Sequence, residues 1–171
     1  RPPRGADTEP QPAPCDPPPA TVAAAVMRRA LREPKGIERL LAACDAYLAH
    51  IERRVFPGGC FFSAAAADVG TLNGPVRDAI ATQQREWLTL LERLAREAVE
   101  LGQLNPDADP AQLAFELKAI LVAANTSFIL LDDPTAFGRA RHATSKRLQT
   151  PTPPAAGLPA SVTPRRTLRR S

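Results

Sequence analysis

Four side chains in this chain have the chemistry of soft metal ligands or nucleophiles: Cys44, His50, Cys60 and His142. A zinc site usually draws its ligands from close pairs such as Cys-x-x-Cys or His-x-x-x-His, and neither pattern occurs here. Cys44 and His50 are six residues apart, whereas neighbours on one helix face are three or four apart. The spacing therefore predicts no metal site, and no motif in the sequence indicates a cofactor.

Cys60 is the strongest candidate for a reactive side chain, because it follows Pro57-Gly58-Gly59 at the predicted start of a helix. The sequence indicates no partner base for it, since nucleophilic catalysis needs a base within hydrogen-bond reach. The Gly-Gly step also lacks the preceding strand that a phosphate-binding loop requires. We therefore predict no catalytic residue and no enzyme, with redox sensing by Cys60 as a less favoured alternative.

The cysteine pattern and the first residues bear on the compartment. Three cysteines without a repeated spacing do not form a disulfide framework, which favours a reducing cytoplasm. The opening RPPRGADTEPQPAP has no apolar run of the kind that a signal peptide contains. The sequence therefore predicts a cytoplasmic protein.

Proline and charge divide the chain into three parts. Of its 19 prolines, eight lie in residues 1–19 and five in residues 150–171. This distribution predicts a disordered Pro-rich arm over residues 1–20, a folded domain over 21–149 and a disordered basic tail over 150–171. The tail contains four arginines and no acidic residue. It is either a solvated segment or, less favoured, a contact for nucleic acid or anionic lipid.

Apolar periodicity predicts an all-α domain of about five to six helices, because apolar residues recur at three- and four-residue spacing and no segment alternates with period two. Proline and glycine mark the helix ends, as in Pro57-Gly58-Gly59 and Asp109-Pro110. The predicted helices are Thr21–Arg32, Ile37–Val55, Cys60–Asp68, Val76–Leu101, Pro110–Leu131 and Asp133–Leu148.

The helix that begins at Pro110 is apolar on nearly every side and must be covered on nearly every side. A membrane span is one explanation, but Glu116, Lys118 and Asn125 interrupt the run of roughly 20 apolar residues that a span needs. We therefore expect one face in the domain core and the other in a subunit interface.

The order and wording of these segments resemble the C-terminal domain of the tetracycline-repressor (TetR) family of transcriptional regulators. Two strings carry the resemblance: ALREPKGIERLLAACDAYLAHIERRVFPGGCFF and GPVRDAIATQQREWLTLLERLAREAVELGQLNPDADPAQLAFELKAILVAAN. In that family the FPGGCFF-type motif leads into a short helix beside a ligand cavity, and a long helix with a tryptophan lines that cavity. The last two long helices pair with their copies in a four-helix dimer interface.

The resemblance implies a small-molecule-sensing domain that forms a homodimer. Aromatic and polar side chains orient ligands in apolar cavities, so a small apolar or aromatic effector is expected. The alternative that Phe61 and Phe62 plug the core stays open. The expected ligand-binding residues are Tyr47, Ile51, Phe61, Phe62, Trp87, Leu91 and Asn125, with Gln83 and Gln84 as further polar groups. The expected dimer-interface residues are Leu121, Phe128, Ile129, Phe137 and Leu148.

The sequence departs from the family at both ends. Family members place a helix-turn-helix DNA-binding domain before this one, and the proline-rich residues 1–20 cannot form its helices. DNA binding through that domain is therefore not expected of this chain. Three further interpretations stay open: a ligand-free structural dimer, a gene remnant, or a partner that pairs with an intact relative.

Overall fold

The computed structural model describes residues 26–54, 56 and 58–149. Every regular element within these ranges is an α-helix, which confirms the all-α prediction. The predicted arm, the basic tail, residues 21–25 of the first predicted helix, Val55 and Pro57 lie outside the described residues. The helices are α1 (26–30), α2 (Ile37–Glu52), α3 (Phe61–Val69), α4 (Pro75–Glu100), α5 (Pro110–Leu130) and α6 (Ala136–Gln149).

Proline, glycine and aspartate place the helix ends near the predicted positions. Asp109 is the N-cap of α5 and accepts a hydrogen bond from the Ala111 amide at 2.9 Å, with Pro110 at the first helical position. Gly102 follows α4 at φ 67°, a left-handed conformation that suits glycine. α6 begins three residues later than predicted, because the Asp133 carboxylate accepts the Thr135 amide at 2.8 Å and caps the turn before it.

The core lies between α2, α4, α5 and α6. Helix α5 packs against α2, α4 and α6, and α3 packs mainly against α4. The side chains of this core are aliphatic residues and small alanines, which together with one phenylalanine fill the interior. Its largest fully buried members are Leu40, Leu48, Ile51, Leu91, Leu113, Leu117, Leu121 and Phe137.

Two groups of polar contacts attach α6 to the rest of the domain. Arg141 bonds the carboxylates of Asp45 at 2.8 Å and Glu52 at 2.9 Å, both on α2. Arg147 forms an ion pair with Glu116 on α5. Although partial burial raises the pKa of Glu116, the hydrogen bonds from Arg147 and Gln112 lower it overall, so this carboxylate stays ionised. These contacts fix the α5–α6 pair as one unit.

Helix α5 has one buried and one exposed apolar face. Six uncharged residues on its outer face lie opposite the core and define what we call the α5 outer face: Phe115, Ala119, Val122, Ala123, Thr126 and Leu130. Phe115 is 64% exposed and Leu130 72% exposed. Among the described residues α5 is also the one helix long and apolar enough to cross a membrane. It packs against three other helices of the domain, which bury 33% of this apolar stretch.

Candidate functional site

A mostly apolar cavity lies where α2, α3, α4 and α5 meet. The centre of a water-sized molecule can occupy about 100 Å³ of its interior. By the same measure, a cavity that holds one water needs only roughly 10–15 Å³. The cavity is therefore large enough for a ring or a short aliphatic chain. Its walls consist of Val26, Tyr47, Cys60, Phe62, Ser63, Gln83, Gln84, Glu86, Trp87, Leu90, Lys118, Leu121 and Val122.

An aromatic pair forms one wall. The rings of Tyr47 on α2 and Trp87 on α4 stack with centroids 5.5 Å apart and an interplanar angle of 23°. The Tyr47 hydroxyl lies 3.2 Å from the Ser63 hydroxyl, in a hydrogen bond that links α2 to α3. Burial first, and then the neighbouring Cys60 thiol, raise the pKa of Tyr47, so the phenol stays neutral and serves as a hydrogen-bonding group.

Most polar side chains of the cavity wall are already engaged with each other or with the backbone. The Gln84 amide donates to the Phe62 carbonyl at 2.9 Å, which attaches α4 to the first turn of α3. The Gln83 amide donates to the Glu86 carboxylate at 2.8 Å on the exposed rim. Lys118 is different, because its ammonium forms no hydrogen bond or ion pair with any other residue that the structure describes.

The Gly58-Gly59 turn sets the position of α3 against the cavity. Asn125 is buried on α5, and its side-chain oxygen accepts the Cys60 amide at 3.0 Å. Gly59 adopts φ +76°, and a Cβ there would lie 2.3 Å from that same oxygen. The turn can therefore approach α5 this closely only because residue 59 has no side chain.

We expect Gly59→Ala to lower the free energy of unfolding by about 1–3 kcal/mol, since it combines a positive φ with a contact too short for a Cβ. Gly58→Ala is the matched control, because a Cβ at residue 58 would meet nothing within 4 Å and its φ is not in the left-handed range. That control should change the free energy by less than about 0.5 kcal/mol. Equal urea midpoints for the two variants would contradict this account of the turn.

The structure brings three of the seven predicted ligand residues to the cavity wall. Tyr47, Phe62 and Trp87 line it, and so do both glutamines, Gln83 and Gln84. The other four lie elsewhere. Ile51 and Leu91 are fully buried in the core. Phe61 is not part of the cavity wall and is 58% exposed. Asn125 contacts the wall from behind, through the Cys60 amide.

The cavity wall also contains residues that the sequence analysis did not single out as ligand contacts. Ser63, Leu90, Lys118 and Val122 belong to it. In the sequence, Lys118 stands out only as an interruption in an apolar run. A charged residue between apolar neighbours on such a helix could have indicated a binding site, because lysine is almost never buried without a partner.

The predicted interface residues divide between the core and the surface. Leu121, Phe137 and Leu148 are buried within this chain, so their side chains have almost no surface to offer a partner. Phe128 is partly buried, with its ring centroid 4.5 Å from that of Phe137, and Ile129 is partly exposed. The α5 outer face is an apolar surface that the described part of the domain leaves exposed.

The cysteine and histidine candidates do not come together. Residues 26–54, 56 and 58–149 contain no group of three or more His, Cys, Asp or Glu side chains arranged to hold a metal ion. Burial, and then the neighbouring Asp45, raise the pKa of Cys44 to about 12. Its thiol therefore stays protonated and packs as an apolar side chain.

The described residues form an all-α domain with a mostly apolar cavity between its helices. Residues 36–144 match the family model described as "Tetracyclin repressor-like, C-terminal domain". The chain belongs to this family, which confirms the resemblance seen in the sequence and connects the protein with transcription regulation. A search of the curated proteins finds no match.

Proposed function

We propose that this domain is the effector-binding and dimerisation unit of a TetR-type transcriptional regulator. The effector is a small apolar or aromatic molecule, and the cavity beside Trp87 is its site. The observation that carries the proposal is the cavity itself, since a core plugged by aromatic side chains would leave no such space. The function is binding rather than catalysis, in a soluble cytoplasmic protein.

Two copies are proposed to pair through the α5 outer face and the adjoining surface of α6. A shallow groove between these helices is lined largely by small residues, among them Ala123, Ser127, Ala136 and Ala143. Small side chains let a second helix approach closely, and an uncovered apolar face of this length usually marks an interface. Twofold symmetric dimers, in which the same surface of each copy is in contact, are the commonest homo-oligomers.

The dimer and the cavity share helix α5, which supports a coupling between them. Val122 lines the cavity and also belongs to the α5 outer face. A ligand that shifts α5 by a small amount would change the relative orientation of the two copies. This is the kind of two-site coupling that an effector-controlled regulator needs.

The chain's single tryptophan provides a direct test of the cavity. Trp87 is a cavity residue, so binding of a neutral apolar probe such as octanol or benzyl alcohol should change its fluorescence and raise the melting temperature. No response to a panel of apolar and aromatic probes, in either readout, would favour a ligand-free structural dimer instead.

Trp87→Ala should weaken probe binding by about tenfold, because an aromatic contact contributes about 0.5–1.5 kcal/mol beyond area burial and 1.4 kcal/mol corresponds to tenfold. Calorimetric titration measures this without the tryptophan signal. Thr89→Ala is the control, since Thr89 lies two residues away on the exposed side of α4. An unchanged affinity in Trp87→Ala, with circular dichroism like that of the wild type, would place the ligand elsewhere.

A further inference from the structure

The cavity wall contains one cation and one anion, and they are in different situations. Lys118 is partly buried on α5, next to the apolar side chains of Leu121 and Val122 in the wall. Glu86 is exposed on the rim, where its carboxylate already accepts a hydrogen bond from Gln83. No ion pair joins Lys118 to Glu86 among the contacts of the described residues.

Lys118 is therefore a cation held partly out of water without a partner in the described part of the chain. Partial desolvation lowers the pKa of its ammonium. Two other polar side chains of the wall make hydrogen bonds to protein: Tyr47 with the Ser63 hydroxyl, and Gln84 with the Phe62 carbonyl. An anionic ligand group would supply what Lys118 lacks.

We propose that the effector is an apolar carboxylate, whose hydrocarbon part occupies the cavity beside Tyr47 and Trp87 and whose carboxylate pairs with the Lys118 ammonium. This inference rests on the proposed function, because it assigns a ligand class to the same cavity. The aromatic pair selects for an apolar body, and the single unpaired cation selects for one negative charge. The interaction is noncovalent.

A positively charged effector is the alternative to a carboxylate, and the residues of the cavity wall fit it less well. An amine would have to pair with Glu86, whose exposed carboxylate is solvated and bound to Gln83. It would also bring a second positive charge towards Lys118. The aromatic faces of Tyr47 and Trp87 would attract a cation, but their mutual stacking at 5.5 Å leaves less of each face free.

Three probes with the same hydrocarbon chain separate these choices: octanoate, octanol and octylamine. Calorimetric titration of the full chain should show octanoate binding about five- to tenfold tighter than octanol, because a charge-assisted hydrogen bond is about twice as strong as a neutral one. Octylamine should bind most weakly. Octanol and octanoate binding with equal affinity would overturn the assignment of Lys118.

The variant Lys118→Met keeps the length and apolar stem of the side chain but removes its charge. It should lower octanoate affinity to the level of octanol, so that the ratio of the two affinities falls to about one. Lys118→Glu should reverse the preference towards octylamine. Lys35→Met is the matched control, because the Lys35 side chain is 68% exposed and pairs with Glu97 away from the cavity. Octanoate affinity unchanged in Lys118→Met would overturn the proposal.

The same titrations distinguish failure of this inference from failure of the proposed function. If none of the three probes binds and Trp87 fluorescence does not respond, the cavity is not a ligand site and both proposals fall. If octanol binds and octanoate shows no advantage, the ligand site stands and only the charge selection is wrong. Sedimentation of each Lys118 variant checks that the oligomeric state is unchanged, since Lys118 lies beside the α5 outer face.

Discussion

Replacing Ala123 by Glu is expected to convert the proposed dimer into a monomer. Ala123 is exposed in the isolated chain and lies on the α5 outer face, beside the groove between α5 and α6. A twofold interface would bring two copies of the new carboxylate into one apolar contact, and burying charges without partners costs several kcal/mol. We therefore expect the dimer dissociation constant to rise by more than about a hundredfold.

Ala123 is a cleaner position for this test than Phe128. The Phe128 ring packs on Phe137 of its own chain, and the Arg54 guanidinium lies 4.8 Å from its centroid. Glu at position 128 would disturb the monomer as well as the interface. An exposed alanine within a helix accepts Glu with little local cost, since both are good helix formers.

Sedimentation velocity at several protein concentrations measures the effect. Thr89→Glu adds the same charge to an exposed position of α4 that is not part of the α5 outer face, and should leave the proposed dimer intact. Circular dichroism should show wild-type helicity for both variants. A dimer of unchanged affinity in Ala123→Glu would exclude the α5 outer face as the interface, and a monomeric wild-type protein would exclude dimerisation altogether.

Leu91→Ala is expected to lower the free energy of unfolding by about 2–5 kcal/mol, the range for deleting a buried leucine side chain. Leu91 has no exposed surface and belongs to the core cluster with Leu94 and Ala95 on α4. Leu91 does not line the cavity. The substitution should therefore change the free energy of probe binding much less than the free energy of unfolding.

Urea denaturation at one fixed protein concentration measures this difference, because the apparent stability of a dimer depends on concentration. Val76→Ala is the matched control on the same helix, since Val76 is 66% exposed. Its effect should stay within about 0.5 kcal/mol. A loss of less than about 1 kcal/mol in Leu91→Ala would mean that α4 is not packed at this position as the structure shows.

The sequence predicted the helices because local chemistry determines where they start and stop. Asp109-Pro110 marks the start of α5 and Gly102 the end of α4, because capping and backbone conformation depend only on a few neighbouring residues. The stripe on α6 was also predictable, since Phe137, Ala140, Thr144 and Leu148 recur at three- and four-residue spacing and all are buried.

The candidate site was predicted less completely. Periodicity shows which side chains share a helix face, but it does not show which helix or cavity that face contacts. Leu90 and Leu91 are neighbours of the same type, yet Leu90 lines the cavity and Leu91 lies in the core. Phe61 and Phe62 divide in the same way, with Phe61 exposed and Phe62 in the cavity wall. One residue turns the side chain by about 100°, which is enough to move it from one environment to the other.

The sequence by itself determined the all-α class, the family and the helix with two apolar faces, because each depends on residues near one another in the chain. Only the tertiary structure decided which side chains meet in the cavity, that Leu121 is a core residue, and that Lys118 lies in the wall without a partner in the described residues. These features depend on contacts between helices distant in sequence. Local spacing carries no information about which of several apolar faces a second helix will cover.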